Sequence, residues 1–233
     1  EGEQVNIYGN HVGSWNFAAT AYLNQWKVKI YYEHYFDDHS QMFFQYGRWK
    51  DGHIGLEITF PKNRFIDTFV YEGLGTKDQT GPMLYDSFWG EFEEQISAKD
   101  NYYNHYLYQG WQHWGMGIGN PLLPGPIYNK NGQITFISNR VLAHHIGFCG
   151  SPCQSLSYRM LLSYSRHWGT YDNPLNEIKK QFNSLFEVTY APQQLKGWSF
   201  TVSGAMDRGS MLGNNYGGML VIRKQGIIKS GNK

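Results

Sequence analysis

In the segment LSYRMLLSYSRH, Leu156, Tyr158, Met160, Leu162 and Tyr164 fall on one parity and Ser157, Arg159, Ser163, Ser165 and His167 on the other; Leu161 alone is out of step. A strand turns successive side chains to opposite faces, so this spacing predicts a strand apolar on one side and polar on the other. The same alternation predicts strands over 14–23 (Trp15, Phe17, Ala19, Ala21 and Leu23 in phase) and over 26–33 (Trp26, Val28, Ile30 and Tyr32 in phase), joined by a tight Asn24–Gln25 turn. A third strand is expected at 53–60, followed by a turn at Pro61–Asn63. The fourth, at 65–74, has a facing that the pattern does not settle. Residues 133–148 suggest one long strand in which Arg140 and His144 are misfits, explained by a bulge or a split into two. The CGSPC segment, Cys149–Cys153, is expected as a turn. Further strands are predicted at 182–190, 198–207 and 216–224.

The connections carry information of their own. Short ones near residues 24, 62, 151 and 194 alternate with longer ones at 34–52, 75–131, 169–180 and 208–215. Short periplasmic turns alternating with long extracellular loops characterise outer-membrane barrels, and Trp26, Tyr190 and Trp198 stand beside short turns, where an aromatic girdle belongs. The piece at about 75–131 exceeds ordinary loop lengths, which argues for a functional loop with structure of its own. The expected fold is therefore all-β, an antiparallel transmembrane β-barrel. About nine strands begin on the long-loop side and end on the short-turn side, whereas bacterial barrels have even counts with both ends in the periplasm. The odd count predicts part of a barrel. A soluble β-sandwich would show the same alternation and remains the alternative.

Composition narrows the function classes. Only 17% of the 233 residues are charged, while aromatics also reach 17%, with eighteen Tyr and eight Trp. Such residues suit sugar-binding surfaces and membrane interfaces, where one end of the ring is apolar and the other wet. A net charge of +1 gives nothing to attract nucleic acid. No apolar run approaches the roughly 18 residues of a spanning helix, which leaves a barrel open. Cys149 and Cys153 are compatible with a disulfide, which implies an oxidising compartment, or with two thiols. No signal peptide precedes EGEQVNIY, so either one has been removed or the chain starts inside something larger.

Several segments in order carry a resemblance: GNHVGSWNF (Gly9–Phe17), YYEHYFDDHSQMFFQYG (Tyr31–Gly47), DGHIGLEITFPKNRF (Asp51–Phe65), DNYYNHYLYQGW (Asp100–Trp111), GNPLL (Gly119–Leu123), SNRVLAHHIGF (Ser138–Phe148) and LSYSRHWGTY (Leu162–Tyr171). Together they resemble the capsule assembly Wzi family of outer-membrane proteins, especially its Bacteroidetes branch. The likeness covers nearly all of residues 1–233 and corresponds to the C-terminal half of that family's single barrel domain. It implies a barrel of about eighteen strands, of which this chain holds half. It also implies a non-enzymatic, lectin-like role in organising capsular polysaccharide at the bacterial outer membrane, in contact with its lipid. A missing N-terminal half or a partner chain would complete the barrel.

The best candidate for glycan contact is DNYYNHYLYQGWQHW, with Asn101, Tyr102, Tyr103, Asn104, His105, Trp111, His113 and Trp114. Flat aromatic faces stack on sugar C–H groups, and planar amides bond hydroxyl pairs. The competing reading makes those aromatics a small core that holds the loop together. His34, Asp37, Asp38 and His39 have metal-ligand chemistry, but turn-forming aspartates in a solvated loop explain them as well, and neither a metal nor a cofactor is expected. Glu91, Glu93 and Glu94 fit a solvated face better than a glycosidase pair. Ser163, Ser165 and His167 share one strand face, the raw material of an outer-membrane hydrolase, but no nucleophile-elbow glycines accompany them and a lumen lining is the expected role. Lys27, Lys29, Arg159 and Arg223, with Glu33 and Glu57, are expected to form a charge network plugging the lumen, the alternative being a basic lumen that favours an anionic polymer; the near-zero net charge favours the plug. His144–His145 are expected as wall residues. A porin for small solutes stays possible beside the lectin reading.

Overall fold

The computed structural model describes residues 13–36, 42, 51–63, 65–79, 101–104, 111–171 and 173–226, with the backbone of 83–85 and 95–97. In chain order its strands are β1 (Gly13–Leu23), β2 (Trp26–Phe36), β3 (Gly52–Thr59), β4 (Thr68–Gly75), β5 (Met83–Tyr85), β6 (Gln95–Ser97), β7 (Gln112–His113), β8 (Met116–Gly117), β9 (Val141–Cys153), β10 (Leu156–Gly169), β11 (Pro174–Tyr190), β12 (Trp198–Gly209) and β13 (Asn215–Lys224). Nine of them form one sheet in the order β1-β2-β3-β4-β9-β10-β11-β12-β13, and β5-β6 and β7-β8 are separate hairpins. Every neighbouring pair in the large sheet is antiparallel. The fold is all-β, and the large sheet is open, with β1 and β13 as its edges.

Directly paired residues point to the same face, so the register sorts the sheet into two. One face carries the rows Phe17–Tyr32–Ile54, Ala19–Ile30–Leu56–Tyr71–Ile146–Leu162 and Ala21–Val28–Ile58–Phe69–Phe148–Met160–Phe186. It is not covered: Phe17, Ile30, Ile54 and Phe186 are 52–55% exposed. The other face carries Asn16–Glu33–His53 and Tyr31–Gly55–Glu72–His145–Ser163–Asn183–Asp207. The buried apolar core lies over this polar face, where Leu74, Val141 and Ala143 meet Leu123 and Phe136 of the long loop.

The structure corrects several boundaries. β4 starts at Thr68 because Asn63 builds a turn of its own: its Oδ1 accepts from the Phe65 and Ile66 amides, both at 2.8 Å, and its Nδ2 donates to the Ile66 carbonyl at 2.6 Å. The segment expected as a strand over 133–148 joins the sheet only from Val141. Ahead of it, the carbonyls of Gln133 and Thr135 accept from Asn129 Nδ2 at 2.7 and 2.6 Å and so serve a loop. Arg140 thereby leaves the strand, and Leu142, His144, Ile146 and Phe148 share the apolar face without a break. His144 is accommodated there by the Tyr71 hydroxyl, 2.8 Å from its Nδ1.

CGSPC is not a turn. β9 continues to Cys153 with a register shift opposite Leu156 and Tyr158, Gln154–Ser155 make the turn, and both cysteines are free thiols. The expected loop at 169–180 shrinks to 170–173, since Arg166 pairs with Lys180 and His167 with Lys179. Likewise 208–215 shrinks to 210–214. The contrast between short and long connections is therefore carried by 37–51 and 76–140 alone.

Candidate functional site

The long connection between β4 and β9 is fixed to the sheet by a buried polar latch. Asp51, just before β3, accepts from the Asp78 amide at 3.0 Å and from the Tyr102 hydroxyl at 3.2 Å. The Thr76 hydroxyl donates to the Asn139 carbonyl at 2.7 Å, and Gln79 Nε2 donates to Asn139 Oδ1 at 2.6 Å. Asn139 Nδ2 in turn donates to the Tyr102 carbonyl at 2.7 Å and to Asn101 Oδ1. Asp51, Thr76, Gln79 and Asn139 are all at most 1% exposed, so each bond replaces one lost to water. Burial pushes the Asp51 carboxyl up to about 6, with the Asp78 carboxylate adding to that rise. Beside the latch, the Arg140 guanidinium lies 4.0 Å over the Tyr171 ring and donates to the Lys77 carbonyl at 3.1 Å.

Beyond the latch, the loop folds back over the polar face through the β7–β8 hairpin. Ile127 donates to the Gly115 carbonyl at 2.7 Å, and the chain at Gly125 passes so close that a Cβ there would sit 2.6 Å from the Gly115 oxygen and the Gly117 nitrogen. Only glycine allows that approach. The result is a cleft of about 370 Å³ between Gly119–Leu122 of the loop and Glu33, His53, Glu72, His145 and Ser163 of the sheet. A second cavity of about 290 Å³, lined by Tyr102, Tyr103, Trp111 and Ile118, meets it at Glu33, Tyr35 and Gly119.

The wall of the cleft is a hydrogen-bonded charge row across β2, β3 and β4. His53 lies between two carboxylates, with Nδ1 3.7 Å from Glu33 Oε2 and Nε2 3.5 Å from Glu72 Oε1. Ser14 donates to Glu33 at 2.6 Å, the Tyr35 hydroxyl donates to it at 3.3 Å, and the Tyr31 hydroxyl donates to Glu72. Tyr31 can reach across because the position between them is glycine: a Cβ on Gly55 would lie 2.0 Å from the Tyr31 ring. On the adjoining strands His145 Nδ1 is 2.6 Å from Ser163 Oγ, and Ser165 Oγ is 2.9 Å from His167 Nε2, with Ser165 and His167 both buried. Lys27–Glu57 at 3.5 Å and Arg159–Glu187 at 3.2 Å pair further charges of the same face. The arrangement offers rings, fixed carboxylates and hydroxyls to a polar ligand. Among the described residues no three His, Cys, Asp or Glu side chains converge to hold a metal.

The residues singled out in the loops from the sequence divide into four groups. Tyr102, Tyr103 and Trp111 line the second cavity; Tyr102 is also buried in the loop core, and Tyr103, at φ 63°, sets its ring 6.0 Å from Phe136. Asn101 and Asn104 shape the loop, with the Asn104 amide donating to the Asn101 carbonyl at 3.0 Å. His113 and Trp114 stand exposed at the tip of the β7–β8 hairpin, where Trp114 is 83% exposed and held at φ 54°. His105, Asp37, Asp38, His39, Glu91, Glu93 and Glu94 lie outside the described residues. His53, Glu72, Tyr35 and Asn120 were not singled out. His53 and Glu72 sit on the polar phase of strands, and that phase is the signal that could have found them. No protein-family model, no curated protein and no solved structure matches the chain.

Proposed function

We propose that this sheet is part of the wall of a bacterial outer-membrane β-barrel of the kind the sequence resembles, the capsule assembly Wzi family, and that the protein organises capsular polysaccharide without catalysing a reaction. One observation carries the membrane assignment: the face bearing Phe17, Ile30, Leu56, Ile146, Leu162 and Phe186 is continuous, apolar and uncovered. A sandwich would bury that face under a second sheet; in water it would be an aggregation surface. Lipid is the medium it suits. From Leu156 to Tyr164 the apolar stripe of β10 spans roughly 26 Å at about 3.3 Å per residue, close to the height of an outer-membrane band. Trp26, Tyr190 and Trp198 mark its short-turn border, where the Lys224 ammonium lies 5.3 Å over Trp198.

Closure follows from strand direction. With nine antiparallel strands, the edges β1 and β13 run the same way. An all-antiparallel barrel therefore needs an odd number of further strands between them, from another segment or another chain. On this reading the polar face is the lumen wall, and the latch holds the long loop inside or across its mouth. The glycan is engaged by the rings and carboxylates of the loop and the wall beneath it. Co-sedimentation of isolated capsular polysaccharide with vesicles carrying the protein tests the role. Retention that is lost when Tyr103 and Trp111 are both changed to Ala supports it, and vesicles that retain no polysaccharide refute it.

A further inference from the structure

We propose that the cleft beneath the long loop takes an uncharged or amine-bearing run of sugars and rejects uronic-acid sugars, an inference that rests on the glycan-organising reading above. The two cavities, about 370 and about 290 Å³, meet at Glu33, Tyr35 and Gly119, and together they fall within the size range of small-molecule sites. Tyr35, Tyr103 and Trp111 supply ring surface for sugar C–H faces, and Asn120 brings an amide to the lip.

The charge of the lining selects among sugars. Glu33 and Glu72 face the cleft from β2 and β4 and share His53 between them, so these two carboxylates meet at most one cation, and His145, bonded to Ser163, is the other imidazole of the lining. Among the described residues no lysine or arginine lines either cavity. Fixed carboxylates accept hydrogen bonds from sugar hydroxyls and attract an ammonium group, and they repel a uronate carboxylate brought into the same partly desolvated space. Of the cations on the polar face, Lys27 and Arg159 pair with Glu57 and Glu187, Lys29 lies 5.2 Å over the Tyr31 ring, and none of the three lines either cavity. The loop fixes the geometry through Gly119–Leu122, so selection happens where the chain of sugars passes between loop and wall.

Calorimetric titration of the full chain in detergent tests this, with trisaccharides of N-acetylglucosamine, of glucosamine and of galacturonic acid as probes. At low ionic strength the first two are expected to bind at least about tenfold more tightly than the third. Glu72→Gln should narrow that gap to within about threefold. Asn120→Ala should weaken all three alike, and it serves as the second variant if Glu72→Gln does not fold. Galacturonate that binds as tightly as the others overturns the charge selection and leaves the glycan reading standing. A preference left unchanged by Glu72→Gln, or affinities left unchanged by Asn120→Ala, overturns the assignment to this cleft. If no trisaccharide binds, the cleft assignment falls; if the same preparation also fails to retain capsular polysaccharide, the glycan reading falls with it.

Discussion

The two faces of the sheet are built from the same strands and obey opposite rules. The central rows of the apolar face are largely uncovered, with a polar contact between Tyr71 and His144, whereas at its Gly13–Phe36 end His34 is buried and Trp15 Nε1 donates to the Met42 carbonyl at 2.7 Å. On the polar face nearly every row is cross-linked between strands, from Ser14–Glu33 through His53–Glu72 and His145–Ser163 to Asn183–Asp207 at 2.7 Å. A water-soluble protein buries its apolar side and solvates its polar side. Here the polar side is the one that gathers a loop, a core and a cleft. The difference is the one the proposed setting calls for, with an apolar medium against one face and hydrogen bonds organising the other.

The largest expected effect comes from breaking the outer face. Ile30→Arg, at the middle of the apolar belt, should destabilise the protein in lipid vesicles by about 2–4 kcal/mol. Thr20→Arg, on the opposite face beside Lys29, should change stability by less than about 1 kcal/mol. Urea titration in vesicles measures both, and equal losses would erase the distinction between the faces. Next in size, Gly55→Ala drives a methyl into the Tyr31 ring and should cost about 1–3 kcal/mol. It should also free the Tyr31 hydroxyl from Glu72, which ultraviolet difference spectra of tyrosine would register.

The smallest effect concerns the latch and is read by pH. Asp51 has a carboxyl raised from 3.8 to about 6 by burial, so the folded loop binds a proton that the opened loop releases. Stability of the latch is greatest below about pH 4 and falls as pH rises through about 6. Amide hydrogen exchange at Asp78 and Gln79, corrected for intrinsic rates, should show more protection at pH 4.5 than at pH 7.5. Asp51→Asn should flatten that dependence.

The strands were legible in the sequence wherever one face is apolar and the other polar. β1 and β2 alternate cleanly because Phe17, Ala19, Val28 and Ile30 all belong to the uncovered belt. The pattern fails where both faces are wet: 174–181 is a strand paired through Lys179 and Lys180, but its polar residues on both parities leave no period to detect. It misleads at Phe136, whose apolar character serves a loop core rather than the sheet. Glu33 was legible as an interior charge from strand parity alone. The cleft it lines was not, because Asn120 and His53 meet only through the fold of a long connection, and no local spacing encodes that approach. Tyr103 and Trp111 were legible as ring chemistry in the loop, whereas no local spacing marked Tyr102 as an anchor of the latch.

The most direct test of the central claim uses bilayers containing brominated lipids, which quench tryptophan only on contact. Three versions of the chain are compared, each keeping one of Trp26, Trp198 or Trp114 and carrying Phe at the other tryptophans. Trp26 and Trp198, on the apolar face at the short-turn border, should be quenched strongly by bromines near the lipid carbonyls, and Trp114, on the loop hairpin, should not. A protein that folds without detergent or lipid and leaves Trp26 and Trp198 unquenched would contradict the membrane-facing assignment of the apolar face.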